Sequence, residues 1–205
     1  MKFKGDVEKK DELQIIQAVK KDKSAYRDIV ELYYDKLHRY LRYIGIKDKD
    51  EAEDVLQEVF IKAYININSY NTNLKFSSWL YRIAHNEAVN KWRKEKNHIR
   101  LENEEVRESL INNLIEEKYI DQSLDSAYQE RLVKQALQTL DSKYKDVLIL
   151  YYLEEKSYEE IADVLKKPVG TIGTLLSRGK NQLRIRIDEP SFKTAFAYSL
   201  NAKLV

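Results

Sequence analysis

An all-α fold is predicted, arranged as two small helical domains joined by a linker, and three observations predict it. The 205 residues include only 5 Gly and 2 Pro, so long stretches carry no helix breaker. Apolar side chains recur at i, i+3 and i+4 along most of the chain. No run alternates strictly between apolar and polar residues, and no Asn-Gly or Asp-Gly pair offers a tight hairpin. A hydrophobic fraction of 43% can fill two small cores, and a charged fraction of 34% suits helices with solvated outer faces.

From Lys9 to Arg42 the spacing predicts two helices. Leu13, Ile16, Ala18 and Val19 belong to the first, which ends at the polar run Lys20–Lys23. Tyr26, Ile29, Val30, Tyr33, Leu37, Tyr40 and Leu41 form the stripe of the second. Gly45 suits the end of that helix, because glycine takes the left-handed conformation that stops one. Between Asp50 and Ile67 the stripe is unbroken: Ala52, Val55, Leu56, Val59, Phe60, Ala63, Tyr64 and Ile67. The polar stretch Asn66–Lys75 reads as a flexible loop. A helix from Ser77 to Lys96 follows it, with Leu80, Ile83, Ala84 and Trp92 as its apolar face.

Residues 102–130 hold nine acidic side chains against Arg107 and Lys118, with less regular apolar positions. This composition reads as a linker. The expected borders are a first domain over 9–98, a linker over 99–129, a second domain over 130–187 and a tail over 188–205. In the second domain, Leu132–Lys156 predicts two helices parted near Asp141-Ser142. Two shorter helices follow, separated by Lys166-Lys167-Pro168.

Several function classes drop out. There is no cysteine, which excludes disulfides, thiolate zinc sites and cysteine nucleophiles. His38, His85 and His98 are scattered, so no metal site and no cofactor is implied. No apolar run approaches the roughly 20 residues of a membrane span, and the N-terminus is polar. A soluble cytoplasmic protein is expected. The net charge of +2 is too small to name a partner, but its distribution says more.

Ser157-Tyr158-Glu159-Glu160 is a capping box, in which Ser157 and Glu160 satisfy each other's main-chain amides. It opens a short helix carrying Ile161, Ala162, Val164 and Leu165. Pro168 suits the start of the next helix, since that position needs no N–H. Two short helices, a tight turn and a small residue (Ala162) where they cross describe a helix-turn-helix. Gly170 and Thr171 then lie at the start of the second helix, where main-chain amides can face a phosphate. From Lys166 to Ile187 the charged residues are Lys166, Lys167, Arg178, Lys180, Arg184 and Arg186, with no Asp or Glu. A helix that enters the major groove needs that balance.

In the first domain, Asp54, Glu58, Ile61 and Ile65 share one line of the Asp50–Ile67 helix, opposite its apolar stripe, with Gln57 beside them. Two carboxylates and two isoleucines outside the core stripe look like an interface. No histidine accompanies them, which argues against acid–base or metal chemistry. On the Ser77–Lys96 helix, Arg82, Asn86, Asn90 and Arg93 form a second line, with Trp79 at its start and Tyr81 and His85 flanking it. Amide side chains can pair with base edges, guanidinium groups with phosphates, and aromatic rings with unpaired bases. The preceding loop, with Tyr70, Asn71 and Asn73, can form a pocket for a base taken out of the stack.

The order of these features resembles the extracytoplasmic-function (ECF) sigma factors, the smallest members of the sigma-70 class. Glu53-Asp54-Val55-Leu56-Gln57-Glu58-Val59-Phe60-Ile61-Lys62-Ala63-Tyr64 is similar to the region 2.2 helix. Phe76-Ser77-Ser78-Trp79-Leu80-Tyr81-Arg82-Ile83-Ala84-His85-Asn86 is similar to regions 2.3 and 2.4. Ser157 to Ala162, with Pro168 to Ile172, is similar to the region 4.2 helix-turn-helix. The match spans about residues 9–187 with the linker unaligned, and its three motifs stand in the family's order.

The resemblance implies a role for each face and no catalytic residue. Asp54, Gln57, Glu58 and Ile61 would bind polymerase. Tyr70, Asn71, Asn73, Trp79, Arg82, Asn86, Asn90 and Arg93 would bind the minus-10 element as single strand. Lys167, Gly170, Thr171, Thr174, Arg178 and Lys180 would bind the minus-35 duplex. The implied partners are core RNA polymerase (β′ clamp helices and β flap), promoter DNA and an anti-sigma factor.

The chain departs from the pattern at three places. Gly173, Thr174 and Leu175 stand where the family usually has a basic residue and then Ser-Arg, which removes the side chains that could pair with guanine. Asn90 stands where Asp is common, and Leu140-Asp141 where Leu-Pro is usual. A helix-turn-helix regulator that works without polymerase would leave Asp54, Gln57, Glu58 and the Trp79–Arg93 line without a job. A polymerase-binding decoy without initiation activity is the other alternative.

Overall fold

The structure, a computed structural model, describes residues 23–99, 124–190 and 192. The first helix expected after Lys9, most of the linker and most of the tail lie outside the described residues. Every regular element among the described residues is helical.

A short turn of 3-10 helix, Lys23–Ala25, leads into α1, Tyr26–Ile44. Ile29, Tyr33, Leu37, Tyr40, Leu41 and Ile44 share one face of α1 and are buried. Gly45 ends the helix with φ at 127°, where a side chain would be strained, and its N–H reaches back to the carbonyls of Leu41 and Arg42.

Asp48 starts α2, Lys49–Asn66, by accepting the Glu51 amide at 3.0 Å. Ala52, Val55, Leu56, Val59, Phe60 and Ala63 are buried, and Ile67 follows in a short 3-10 turn. Tyr64 is the one member of the predicted stripe that stays at the surface. Tyr26 covers that turn of the helix instead: its ring lies 5.1 Å from Tyr64, and its hydroxyl donates to the Phe60 carbonyl at 2.7 Å.

Helix α3, Phe76–Ile99, packs along α2. Leu80, Ala84 and Ala88 are buried, while Ile83 and Trp92 are only half-buried. Tyr81, expected beside the polar line, is in the core with its ring 5.0 Å from Tyr40. An ion pair from Lys62 to Glu87, and another from Lys91 to Glu51 at 3.2 Å, tie α2 to α3.

Helix α4, Leu124–Gln138, begins inside the segment read as linker. Helix α5, Ser142–Leu148, continues into a wider π-helical turn, Ile149–Leu153. The last two helices are α6, Tyr158–Leu165, and α7, Val169–Asp188. Between them Lys166 takes a positive φ of 54°, and the Pro168 carbonyl accepts the Thr171 amide at 2.9 Å. The two helices and the turn stand at the positions expected from the sequence, but α7, with 20 residues, is not the short helix expected.

Glycine matters most at position 179, where α7 approaches α5. A Cβ there would lie 3.2 Å from Leu148 Cδ1 and 3.3 Å from Tyr144 Cβ, closer than ordinary carbon contact. Leu132, Ala136, Val147, Leu148, Ile172 and Leu176 are among the residues that fill the core around that approach.

The described residues divide into two compact units, 23–99 with 159–167, and 124–158 with 168–190. Most of α6 thus groups with α1–α3, while its first residue, Tyr158, belongs with α4, α5 and α7.

Candidate functional site

Three faces carry the residues singled out above. The first is the outer side of α2, where the apolar stripe faces inward and leaves Asp54, Gln57, Glu58, Ile61 and Ile65 exposed. Ile61 is 52% exposed and Ile65 69%. Asp54 and Glu58 have no ion-pair partner among the described residues, whereas Glu51 and Glu87 are paired to lysines. Free carboxylates beside bare isoleucines suit a partner surface that is both basic and apolar.

The second face is the loop before α3 and the outer side of α3 itself. Tyr70 was expected as a ring open to a base, but it is only 5% exposed. Its hydroxyl donates to the Leu74 carbonyl, and its ring packs 5.3 Å from Phe76 and 5.4 Å from Trp79. The three rings form one cluster, which explains why Trp79 is half-buried. Nor is the loop without structure. Asn71 Oδ1 accepts the Asn73 amide at 3.0 Å and the Asn71 carbonyl accepts the Leu74 amide at 3.1 Å, a turn held by its own asparagine. Asn71 and Asn73 stay exposed on that turn.

Along α3, Asn86, Asn90 and Arg93 are exposed in one line, as the spacing predicted. Arg82 departs from them. It is half-buried, its Nε donates to the Asp163 carbonyl at 2.7 Å, and one of its terminal nitrogens is buried with no partner among the described residues. In the same unit, Lys75 pairs with Glu160 at 3.0 Å. His85 meets the Tyr40 hydroxyl through Nδ1 at 3.1 Å. Burial, and then the Lys167 ammonium, lower its pKa to about 4, so its imidazole is neutral at pH 7.

The third face is that of α7. Gly170, Thr171, Thr174, Arg178 and Lys180 are all exposed, as is Lys167 ahead of the helix. Buried Ile172, Leu176 and Gly179 fix the opposite side, so this exposed arc is set by the core. No residue from Pro168 to Ser177 is ionisable, and the cations begin only at Arg178. The Thr174 hydroxyl bonds back to the Gly170 carbonyl at 3.1 Å. Two contributors escaped the sequence reading. Gly179 was readable in principle, because a glycine inside a strong helix signals a close approach. Tyr158, whose ring edge lies over Gly173, left no such signal.

Most of the chain is similar to known proteins. The Sigma-70 region 2 family model matches residues 29–98, and that of Sigma-70, region 4 matches residues 130–183. The ECF RNA polymerase sigma factor SigW of Bacillus subtilis is 37% identical over 180 residues, 83% of this chain and 93% of the relative. The ECF RNA polymerase sigma-E factor of Haemophilus influenzae is 32% identical over 171 residues, 81% of this chain and 89% of the relative. Among solved structures, the sigma factor RpoE of Bartonella quintana, in complex with the anti-sigma factor NepR, matches with a TM-score of 0.61. It is 23% identical and the match covers 80% of this chain and 98% of that one, a likeness of fold.

Proposed function

This chain belongs to the sigma-70 family, in its ECF branch, and from that premise we propose that its three faces divide the work of transcription initiation. As a sigma factor it binds core RNA polymerase, recognises the promoter minus-10 and minus-35 elements, and promotes strand opening. The domain over 9–98 docks on polymerase and handles the minus-10 element; the domain over 130–187 meets the minus-35 duplex. Asp54, Gln57, Glu58 and Ile61 form the polymerase-docking line. Asn71, Asn73, Asn86, Asn90 and Arg93 hold unpaired minus-10 bases, and the Tyr70–Phe76–Trp79 cluster is the rigid floor under them. Trapping bases out of the stack uses binding energy of about a few kcal/mol per base, and no bond is made or broken. Arg178 and Lys180 anchor minus-35 phosphates.

The observation that carries this reading is the outer line of α2, where two unpaired carboxylates stand beside two isoleucines more than half exposed. Such a line is costly to leave bare and gains most from a partner. The partners are core polymerase, through its β′ clamp helices and β flap, and promoter DNA. An anti-sigma factor is the regulator that the likeness to the Bartonella quintana protein suggests. No helix among the described residues is long and apolar enough to cross a membrane, which is compatible with work in the cytoplasm.

The test is Glu58→Arg in the full chain. Reversing that charge should abolish capture of core polymerase, while far-UV circular dichroism and non-specific duplex binding stay as in the parent. Undiminished capture would remove this line as the docking surface.

A further inference from the structure

The arc of α7 that faces outward is uncharged where a base reader is usually rich in donors. Val169, Gly170, Gly173, Thr174 and Ser177 lie side by side on it, between the buried Ile172–Leu176 side and Thr171. Gly170 has open space around it: a Cβ there would meet nothing within 4 Å. A Cβ on Gly173 would sit 3.6 Å from Cε2 of Tyr158, so the tyrosine ring edge borders the groove that the glycines leave. Tyr158 is 38% exposed and Val169 43%, so a ring edge and an aliphatic side chain are both at the surface on that border. Thr174 closes the other side, and its hydroxyl is already committed to the Gly170 carbonyl. What Thr174 offers outward is therefore its methyl group. Beyond this strip Arg178, Lys180 and Arg184 supply the cations that a duplex requires.

We propose that the shallow apolar groove formed by Gly170, Gly173, Thr174 and the Tyr158 ring edge reads thymine 5-methyl groups in the major groove of the minus-35 duplex. The chemistry follows from what each base shows there. Guanine is best recognised by a guanidinium or ammonium and adenine by an amide side chain, and the strip has neither. Thymine alone adds a methyl group, and a methyl is what a groove of two glycines, a threonine methyl and a ring edge can select. Two glycines let the helix backbone come close enough to bury it. The inference rests on the sigma-factor reading and names what the second domain selects within it.

The experiment uses holoenzyme assembled from the full chain and core polymerase. A promoter recovered by this holoenzyme from a library randomised upstream of the start site serves as probe. Each upstream thymine is then replaced singly by deoxyuridine, which removes the methyl and keeps every base-pairing group. Binding and initiation should fall about fourfold at one or two positions, the effect of burying one methyl group. Thr174→Ser, which keeps the hydroxyl bond to Gly170 and deletes only the methyl, should erase the thymine–deoxyuridine difference at one of them. Equal affinity for thymine and deoxyuridine at every position, with initiation retained, overturns the inference and leaves the sigma-factor reading standing. Failure of the holoenzyme to initiate at all overturns that reading, and the inference with it.

Discussion

Gly179→Val tests whether the close approach of α7 to α5 holds the proposed duplex-binding face in place. The first added carbon would lie 3.2 Å from Leu148 Cδ1, 3.4 Å from Leu148 Cγ and 3.3 Å from Tyr144 Cβ. The Leu148 methyl is the end of a flexible side chain and can retreat. Tyr144 Cβ is fixed to the α5 backbone and cannot. Replacing glycine by a better helix former stabilises by somewhat under 1 kcal/mol. Inserting extra carbons into a packed core costs about 1–3 kcal/mol, and valine adds two γ-methyls beyond that already crowded Cβ. The net loss should be about 2 kcal/mol, or roughly 10 °C in melting temperature for a domain of this size. Both tryptophans, Trp79 and Trp92, lie in the first unit, so two probes separate the units. Far-UV circular dichroism should show the earlier loss of the second unit, while the tryptophan fluorescence transition stays put. An unchanged melting profile together with parent-like duplex binding would refute the packing argument.

Two further outcomes are expected. Ile61→Ala combined with Ile65→Ala should weaken core polymerase binding by at least tenfold in a titration, since each deletion removes two to three exposed carbons worth about 0.8 kcal/mol apiece when buried, and should leave thermal stability within about 0.5 kcal/mol. The pKa of His85 is depressed to about 4 in the fold against about 6.5 unfolded, so the unfolded state binds the extra proton between those values. The neutral ring's contribution should thus be complete above pH 6.5 and lost as pH falls toward 4. Denaturant titrations of the parent and of His85→Gln should converge over that window, and parallel curves would exclude His85 as the source.

How far the sequence could be read depended on whether one force decided a residue's place. The α2 stripe was legible because Ala52, Val55, Leu56, Val59, Phe60 and Ala63 have nothing to gain from water, so period alone assigns them. The outward line of Asp54, Glu58, Ile61 and Ile65 followed as its complement. Tyrosines resisted, because a phenol can serve a core or a surface equally well. Tyr64 belongs to the predicted apolar stripe yet is exposed; Tyr70, expected to meet a base, and Tyr81, expected to flank the polar line, are buried. What buries Tyr70 is an acceptor at Leu74 and two ring neighbours, none of which periodicity reports. The Asn66–Lys75 loop was read as flexible from its polar composition, yet that composition is what lets Asn71 hold the turn. On α3, Asn86, Asn90 and Arg93 are exposed along the predicted line, and no hydrogen bond among the described residues draws them from it. Arg82 left it because a carbonyl at Asp163 was within reach.

The uncharged strip on α7 is reconcilable with promoter binding once affinity and discrimination are separated. Phosphate contacts by Arg178, Lys180 and Arg184, as proposed, would supply attraction that is the same for every sequence. Methyl contacts add little attraction, about fourfold each, but all of it is selective. An isolated reader built this way would bind duplex DNA weakly and choose poorly among sites. On the proposed reading, attachment to polymerase through the α2 line would present it to the duplex at high effective concentration, where a few fourfold choices are enough to rank promoters. A guanidinium at position 173 would raise both affinity and guanine preference; with Gly173 there instead, the proposed reading assigns the work of attachment to the Asp54–Ile65 face.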